Sequence, residues 1–429
     1  MRTVTIREYA RLTTDEVSEP GLDRAQLSVA DFDELCMLNE KRREGVPPLL
    51  RLTDRQTLSV CHYVGIIQTS LGTRIEILPK TGEDASPESV EHERRLLVHM
   101  LETVLNPACR EGKTASIRRF RAPLQEWVIR RFLEELHMLV KKGLRFSYHH
   151  VAEEKPFLRG RLDTSKQAVQ PPQKMHLVHI RHNVFSLNRP EHRLLRCALE
   201  RCAAVTREME NIRLITPLRS LFSDIPQSVS PANDFRQWNA SRNMAHYQSV
   251  RPWCELVLGK EMPFALAGEW HGISMLFPME KLFEKYIGVC LRRRLVAADA
   301  QLYEQVSGRW LCILERRRFF SLRPDFLIRK EGKDFLLDAK WKKLSSNSAD
   351  NYGISQQDIY QLFAYGHKYM SGIGELALIY PVHKRFPSIT KPFIFSEGLR
   401  LWVLGFDLEY GKLLSPSLQC PIMQLFSGE

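Results

Sequence analysis

Asp325, Asp338 and Lys340 are the side chains in this sequence whose types and spacing best suit chemistry. Two apolar runs, Phe326–Ile328 and Phe335–Leu337, flank a polar turn at Glu331-Gly332, which is a hairpin signal. Folding the segment about that turn sets Asp325 opposite Asp338. Directly opposed residues lie roughly 4.5–5.5 Å apart at Cβ, close enough for two carboxylates to share one divalent cation. Lys340 follows Asp338 by two residues, so the strand period puts both on one face, with Ala339 on the other. Oxygen-only ligands favour Mg²⁺, with Mn²⁺ as a substitute, bound by one or two carboxylates together with water and phosphate. Such an ion activates water and polarises a phosphate, and a neighbouring lysine steadies the developing charge.

The pattern Pro324-Asp325 followed by Asp338-Ala339-Lys340 resembles the PD-(D/E)xK nuclease signature. Alanine at the middle position is a tolerated variant, because that residue faces away from the metal. A solvated hairpin with ordinary surface charges is the competing explanation, so the flanking order of elements matters. A helix is expected from Pro278 to Arg294 on the apolar spacing Met279, Leu282, Phe283, Tyr286, Ile287 and Cys290. Strands follow near 300–306 and 310–314, then the hairpin, a Ser- and Asn-rich loop at 345–355, a helix carrying Leu362 and Tyr369, and strands at 374–381 and 399–408. Helix, three strands, helix, strand is the order of the PD-(D/E)xK core. The resemblance implies an acidic residue on the first helix near the metal, which Glu284 supplies, with Glu280 one turn earlier left open. It also implies that Gln361 and Tyr365, i and i+4 on the later helix, line the same cleft and touch DNA. Core packing is the alternative for Tyr365.

Upstream, residues 1–86 alternate short apolar runs and turns, predicting a β-rich domain with one helix near Asp31–Arg43 and strands at 60–67 and 74–80. Residues 81–87 read as a linker. Residues 87–265 read as a mixed region: helices over 89–142 and from Pro190, extended segments at 144–148, 157–163 and 178–184, and a polar loop at 223–242. The third domain spans 266–429. The expected fold class is therefore multidomain α/β and α+β, ending in a restriction-endonuclease-like core.

Three features are rejected as sites. Pro107–Thr114 resembles the end of a phosphate-binding loop, but Pro107 stands where the first glycine belongs. His176, His179 and His182 recur every third residue in an extended segment and would not converge. Cys197 and Cys202 read as a core stripe.

The formal net charge of +12 suits a polyanionic partner, double-stranded DNA above all. Basic clusters include Lys41-Arg42-Arg43, Arg118-Arg119, Arg292-Arg293-Arg294 and Arg316-Arg317-Arg318. Nine scattered cysteines without a Cys-x-x-Cys pair suggest reduced thiols in a cytoplasmic protein, and no apolar run is long enough for a membrane span.

Taken together, Val64–Ile67 with Ile75–Lys80, Leu158–Leu162, the Asn188-Arg189-Pro190 helix entry, Leu282-Phe283-Glu284 and Asp358–Leu362 make the chain resemble the McrC family. McrC proteins are nuclease subunits of McrBC modification-dependent restriction systems. The resemblance implies an Mg²⁺-dependent endodeoxyribonuclease with Asp325, Asp338 and Lys340 as its catalytic set. It also implies an McrB-like AAA+ GTPase hexamer as partner, engaged by the amino-terminal region and stimulated by this chain. Two alternatives stay open: a stand-alone repair or recombination nuclease, and a mainly non-catalytic adaptor of an AAA+ ring.

Overall fold

The computed structural model describes the chain except residues 1, 19–20, 41–46, 83–84, 106–123, 240, 259–274, 297, 415–416, 418 and 427–429. The rejected phosphate-loop segment and the clusters at 41–43 and 118–119 lie outside the described residues. The chain forms two compact units, Met1–Arg121 with Leu266–Glu429, and Ala122–Ala265. This corrects the expected three-part division, because the amino- and carboxy-terminal parts form one body.

In the first unit, β1 (Thr3–Arg7), β2 (Arg11–Thr13), β3 (Arg24–Gln26), β4 (Leu50–Asp54), β5 (Thr57–Val60), β6 (Tyr63–Gln68) and β7 (Arg74–Leu78) make the β-rich amino terminus. One helix, Val29–Glu40, interrupts them, and the helix Pro87–Leu105 follows. The expected strand at 60–67 is two strands, since Cys61 and His62 break the run. The expected linker ends at Pro87, which opens a helix, the position where its missing N–H costs nothing.

The second unit contributes β8 (Ser147–Lys155), β9 (Arg161–Leu162) and β10 (Val178–Ser186) in the order β8-β10-β9, along with several helices. The helix Leu124–Lys142 buries Trp127, Phe132 and Leu136. Glu126, buried in that helix, accepts from Thr206 Oγ1 at 2.6 Å and Asn211 Nδ2 at 2.9 Å. The polar stretch expected as a loop contains the helix Pro231–Gln237, and the helix Met209–Leu221 was not foreseen. His179 and His182 do not converge: they reach Glu154 and Glu153 separately, at 3.8 and 3.5 Å. Cys202 is fully buried, as a core residue should be.

The first unit resumes with β11 (Met275–Pro278), which pairs antiparallel with β6 and completes the sheet β1-β7-β6-β11. At Gly65, with φ +130°, a Cβ would stand 1.9 Å from Met275 O, so only glycine admits β11 here. The helix Met279–Leu295 leads to β12 (Gln301–Glu304), β13 (Arg309–Leu314), β14 (Arg317–Leu322), β15 (Phe326–Lys330) and β16 (Lys333–Ala339). After the helix Gln356–Met370 come β17 (Gly374–Pro381), β18 (Phe393–Ser396), β19 (Leu399–Asp407) and β20 (Lys412–Leu414). The sheet order is β12-β15-β16-β17-β19-β18, with β20 on β19. The ladders from β16 through β19 are parallel, and β15–β16 is the antiparallel hairpin. The strand expected at 310–314 does not join this sheet; it pairs with β14 in a separate hairpin.

Each face of the sheet carries a helix, which accounts for its continuous apolar strands. Leu327, Leu336, Leu376, Leu378 and Leu401 pack with Leu362 and Tyr365 of the helix Gln356–Met370. Phe406 meets Phe283 and Tyr286 of the helix Met279–Leu295 edge-on, at 6.1 and 5.8 Å. Among the described residues no helix is long and apolar enough to cross a membrane.

Candidate functional site

The hairpin folds about Glu331 and Gly332, whose φ values of 50° and 76° give the left-handed pair that a two-residue turn demands. Its ladder runs from Lys330↔Lys333 to Phe326↔Leu337, so the next step sets Asp325 level with Asp338. Asp338 is 1% exposed at the end of β16. Asp325 stands just before β15, where its Oδ2 accepts from Ala339 N at 2.8 Å. Lys340 shares the face: its Nζ lies 2.6 Å from Asp338 Oδ2 and donates to Gln361 Oε1 at 2.9 Å. Gln361 Nε2 donates to the Tyr365 hydroxyl at 2.7 Å, which donates onward to Arg323 O at 3.0 Å. All five side chains singled out around the hairpin and the later helix therefore form one connected group.

Glu284 reaches that group indirectly. Gln305 Nε2 donates to both Glu284 Oε1 and Asp325 Oδ1, the latter at 3.1 Å. Glu280 is exposed and lies toward Glu8. Among the described residues no three His, Cys, Asp or Glu side chains gather closely enough to hold a metal as they stand. Here the Gln305 amide stands between Glu284 and Asp325.

The electrostatics are those of acids crowded together. Burial, then Asp338 and Glu284, push the Asp325 carboxyl up to about 8. Burial raises Asp338 and Glu284 as well, against the pull of Lys340 on the first and the Gln305 amide on the second. Burial works to lower Lys340, but Asp338, Asp358 and Asp325 outweigh it and hold the ammonium charged. Asp338 Oδ2 accepts no well-directed hydrogen bond, although Lys340 Nζ is near it. Two buried acids side by side, one of them at a single lysine, fit a divalent cation. Asp325 and Asp338 are the residues that would hold the ion, which supplies Lewis acidity and a more acidic bound water. Lys340 would hold positive charge beside them, oriented by Gln361.

Three participants were not singled out as site residues from the sequence. Gln305 is the step after Glu304↔Phe326 in the β12–β15 register, so register counting would have paired it with Asp325. Asp358 lies 3.9 Å from Lys340 Nζ and 2.8 Å from Lys342 Nζ, one turn before Gln361 on the same helix. Trp341, next to Lys340, packs on Phe283 at 5.2 Å and is held by the amino-terminal sheet: its indole donates to Glu8 Oε2, and its carbonyl accepts from Lys80 Nζ. No local signal joins residues so far apart.

The family model for the McrBC 5-methylcytosine restriction system component matches residues 58–381, well over half of the chain. The chain belongs to the McrBC family. No curated protein sequence matches it. Among solved structures, the chain is similar to one from the refined half-complex of a tetradecameric assembly of Thermococcus gammatolerans McrB AAA+ hexamers with bound McrC. The identity is 18%, the TM-score 0.64, and 94% of each chain is covered. A second similarity is to the cryo-EM structure of the T. gammatolerans McrBC complex, at 19% identity and TM-score 0.49, over 68% of this chain and 88% of that one.

These comparisons correct the finer assignment made from the sequence. The family description names the McrBC restriction component, and the solved assembly is described by its McrB AAA+ hexamers. Identification as McrC, with its Mg²⁺-dependent endonuclease activity, is therefore not retained. What stands is membership of the McrBC restriction family.

Proposed function

We propose that this chain serves an McrBC-type restriction system as a component working in the context of an AAA+ hexamer. The observation that carries the proposal is the family match over residues 58–381, joined to a similarity that spans 94% of a chain from an assembly of McrB hexamers with McrC. Within that setting the chain is an adaptor of the ring. Its one Gly-Lys-Thr triplet, Gly112-Lys113-Thr114, has Pro107 where a phosphate-binding loop needs its first glycine, so bound nucleotide belongs to a partner chain. The carboxy-terminal sheet, with helices on both faces and the acid pair at its end, supports a restriction-endonuclease-like fold. Asp325 and Asp338 are its divalent-cation site, for Mg²⁺ or Mn²⁺, with Lys340, Gln361 and Tyr365 beside them. Double-stranded DNA is the polyanion that the net charge of +12 suits.

The test is to mix the full chain with the AAA+ GTPase of its own system and follow sedimentation and GTP turnover. Co-sedimentation with the hexamer and altered turnover are expected. A chain that neither joins the ring nor changes turnover at micromolar concentrations would overturn the proposal.

A further inference from the structure

The hairpin β13–β14 has only itself for a ladder partner among the described residues. A lone two-stranded ribbon is marginal in water, yet this one also exposes large apolar side chains. Ile313, Leu314 and Phe320 are 69%, 64% and 71% exposed. Its base, by contrast, is held firmly. The Tyr369 hydroxyl lies within donating distance of Val306 O and Leu322 O, at 3.1 and 2.9 Å, and Tyr365 secures Arg323 O. Asp325 comes three residues after the last residue of β14. The ribbon therefore projects from the rim of the acidic site.

Its composition names the partner. Residues 309–323 carry five arginines and one glutamate. Arg309, Arg316, Arg317 and Arg318 are all exposed, and the Arg318 guanidinium lies 4.5 Å from the centre of the Trp310 ring. The turn is Glu315-Arg316, with φ values of 47° and 67° and no glycine to ease them, and it places Arg316 at the tip. Phe320 has φ +57°, an uncommon conformation for a bulky residue, where the Leu311–Phe320 step drops out of the ladder. Planar guanidinium forks match phosphates and guanine edges. The major groove, roughly 12 Å wide, admits a two-stranded ribbon. An apolar protein partner would not call for so many unsheltered arginines.

We infer that the hairpin β13–β14 is a DNA-reading ribbon that enters a groove of duplex DNA, with Arg316, Arg317 and Arg318 on the backbone and base edges and Phe320 against the groove wall. The inference rests on DNA being the polyanion of the proposed function, and it adds the element and residues that meet it.

The experiment measures binding of the full chain to a labelled duplex oligonucleotide by anisotropy across a salt series. Replacing Arg316, Arg317 and Arg318 together by Ala is expected to weaken binding at least about tenfold and to flatten the log–log salt slope by about 2–3. Replacing the three by Lys is expected to keep most of the slope, and Phe320→Ala to lose affinity with the slope unchanged. If the triple Ala variant fails to fold, single Arg→Gln changes carry the test, each expected to reduce the slope by about 0.9. A folded triple Ala variant with wild-type affinity and slope would overturn the inference. So would a variant that keeps its DNA affinity but no longer joins the AAA+ partner, since the ribbon would then be a protein-docking element. Failure of the wild-type chain to join the ring would sink the ring proposal alone.

Discussion

Trp341 Nε1 donates a 2.8 Å hydrogen bond to Glu8 Oε2, across 333 residues of sequence. The bond fastens the residue after Lys340 to the amino-terminal sheet. Glu8 Oε2 also accepts from Lys80 N, while Oε1 is buried without a donor. Burial pushes the Glu8 carboxyl up to about 7, against the pull of Lys80 and of its hydrogen bonds.

That shift has a definite sign. Between the unfolded pKa near 4.3 and the folded value of about 7, the folded chain holds more protons than the unfolded one, so stability falls as pH rises. The loss should be on the order of 2–4 kcal/mol and complete above the folded pKa. Glu8→Gln keeps an acceptor for Trp341 and removes the titration. Urea midpoints at pH 5 and pH 8 should therefore differ less in the variant than in the wild type, and equal differences would refute the assignment.

Crowding of the acids makes a second prediction. Asp325→Asn removes one of two adjacent buried acids and the cost of ionising it beside Asp338, and an amide oxygen can still accept from Ala339 N–H. The metal-free variant should be as stable as the wild type or more so. Stabilisation by Mg²⁺, about 2.7 kcal/mol for a wild-type site at a hundredfold excess over Kd, should vanish. Thermal melts with and without the ion distinguish the two effects.

Lys340 and Asp338 should behave as a unit. Lys340→Met leaves a buried carboxylate without its cation and should destabilise by roughly 3 kcal/mol. Adding Asp338→Asn should recover most of that loss. A double-mutant cycle in denaturant measures the coupling, and strictly additive losses would show the pair to be independent.

Gly65 tests the junction of β6 and β11. Gly65→Ala brings a Cβ against the Met275 carbonyl and strains a backbone at φ +130°. A loss of roughly 2–4 kcal/mol is expected from denaturant unfolding. For the same reason residues 275–429 expressed alone should lack cooperative unfolding, contrary to what their complete set of apolar elements suggests. β11 would lack β6 and Trp341 would lack Glu8.

The sequence by itself determined the hairpin and the face it presents. Phe326–Ile328 and Phe335–Leu337 leave one register about Glu331-Gly332, and a slip of one residue would turn every apolar side chain to the wrong face. The helices Met279–Leu295 and Gln356–Met370 were legible from their 3.6-residue stripes, and i, i+4 spacing brought Gln361 to Tyr365. Tertiary structure alone decided the rest. Gln305 entered between Glu284 and Asp325 because β12 pairs with β15. β13 left the sheet because it pairs with β14, a choice its own alternation did not contain. The division into 1–86 and 266–429 failed because β11 completes a sheet begun by β1, β7 and β6. Local periodicity records which face of an element is apolar; it carries no information about which distant element will cover that face. Glu8 and Trp341 meet only once the whole chain has folded.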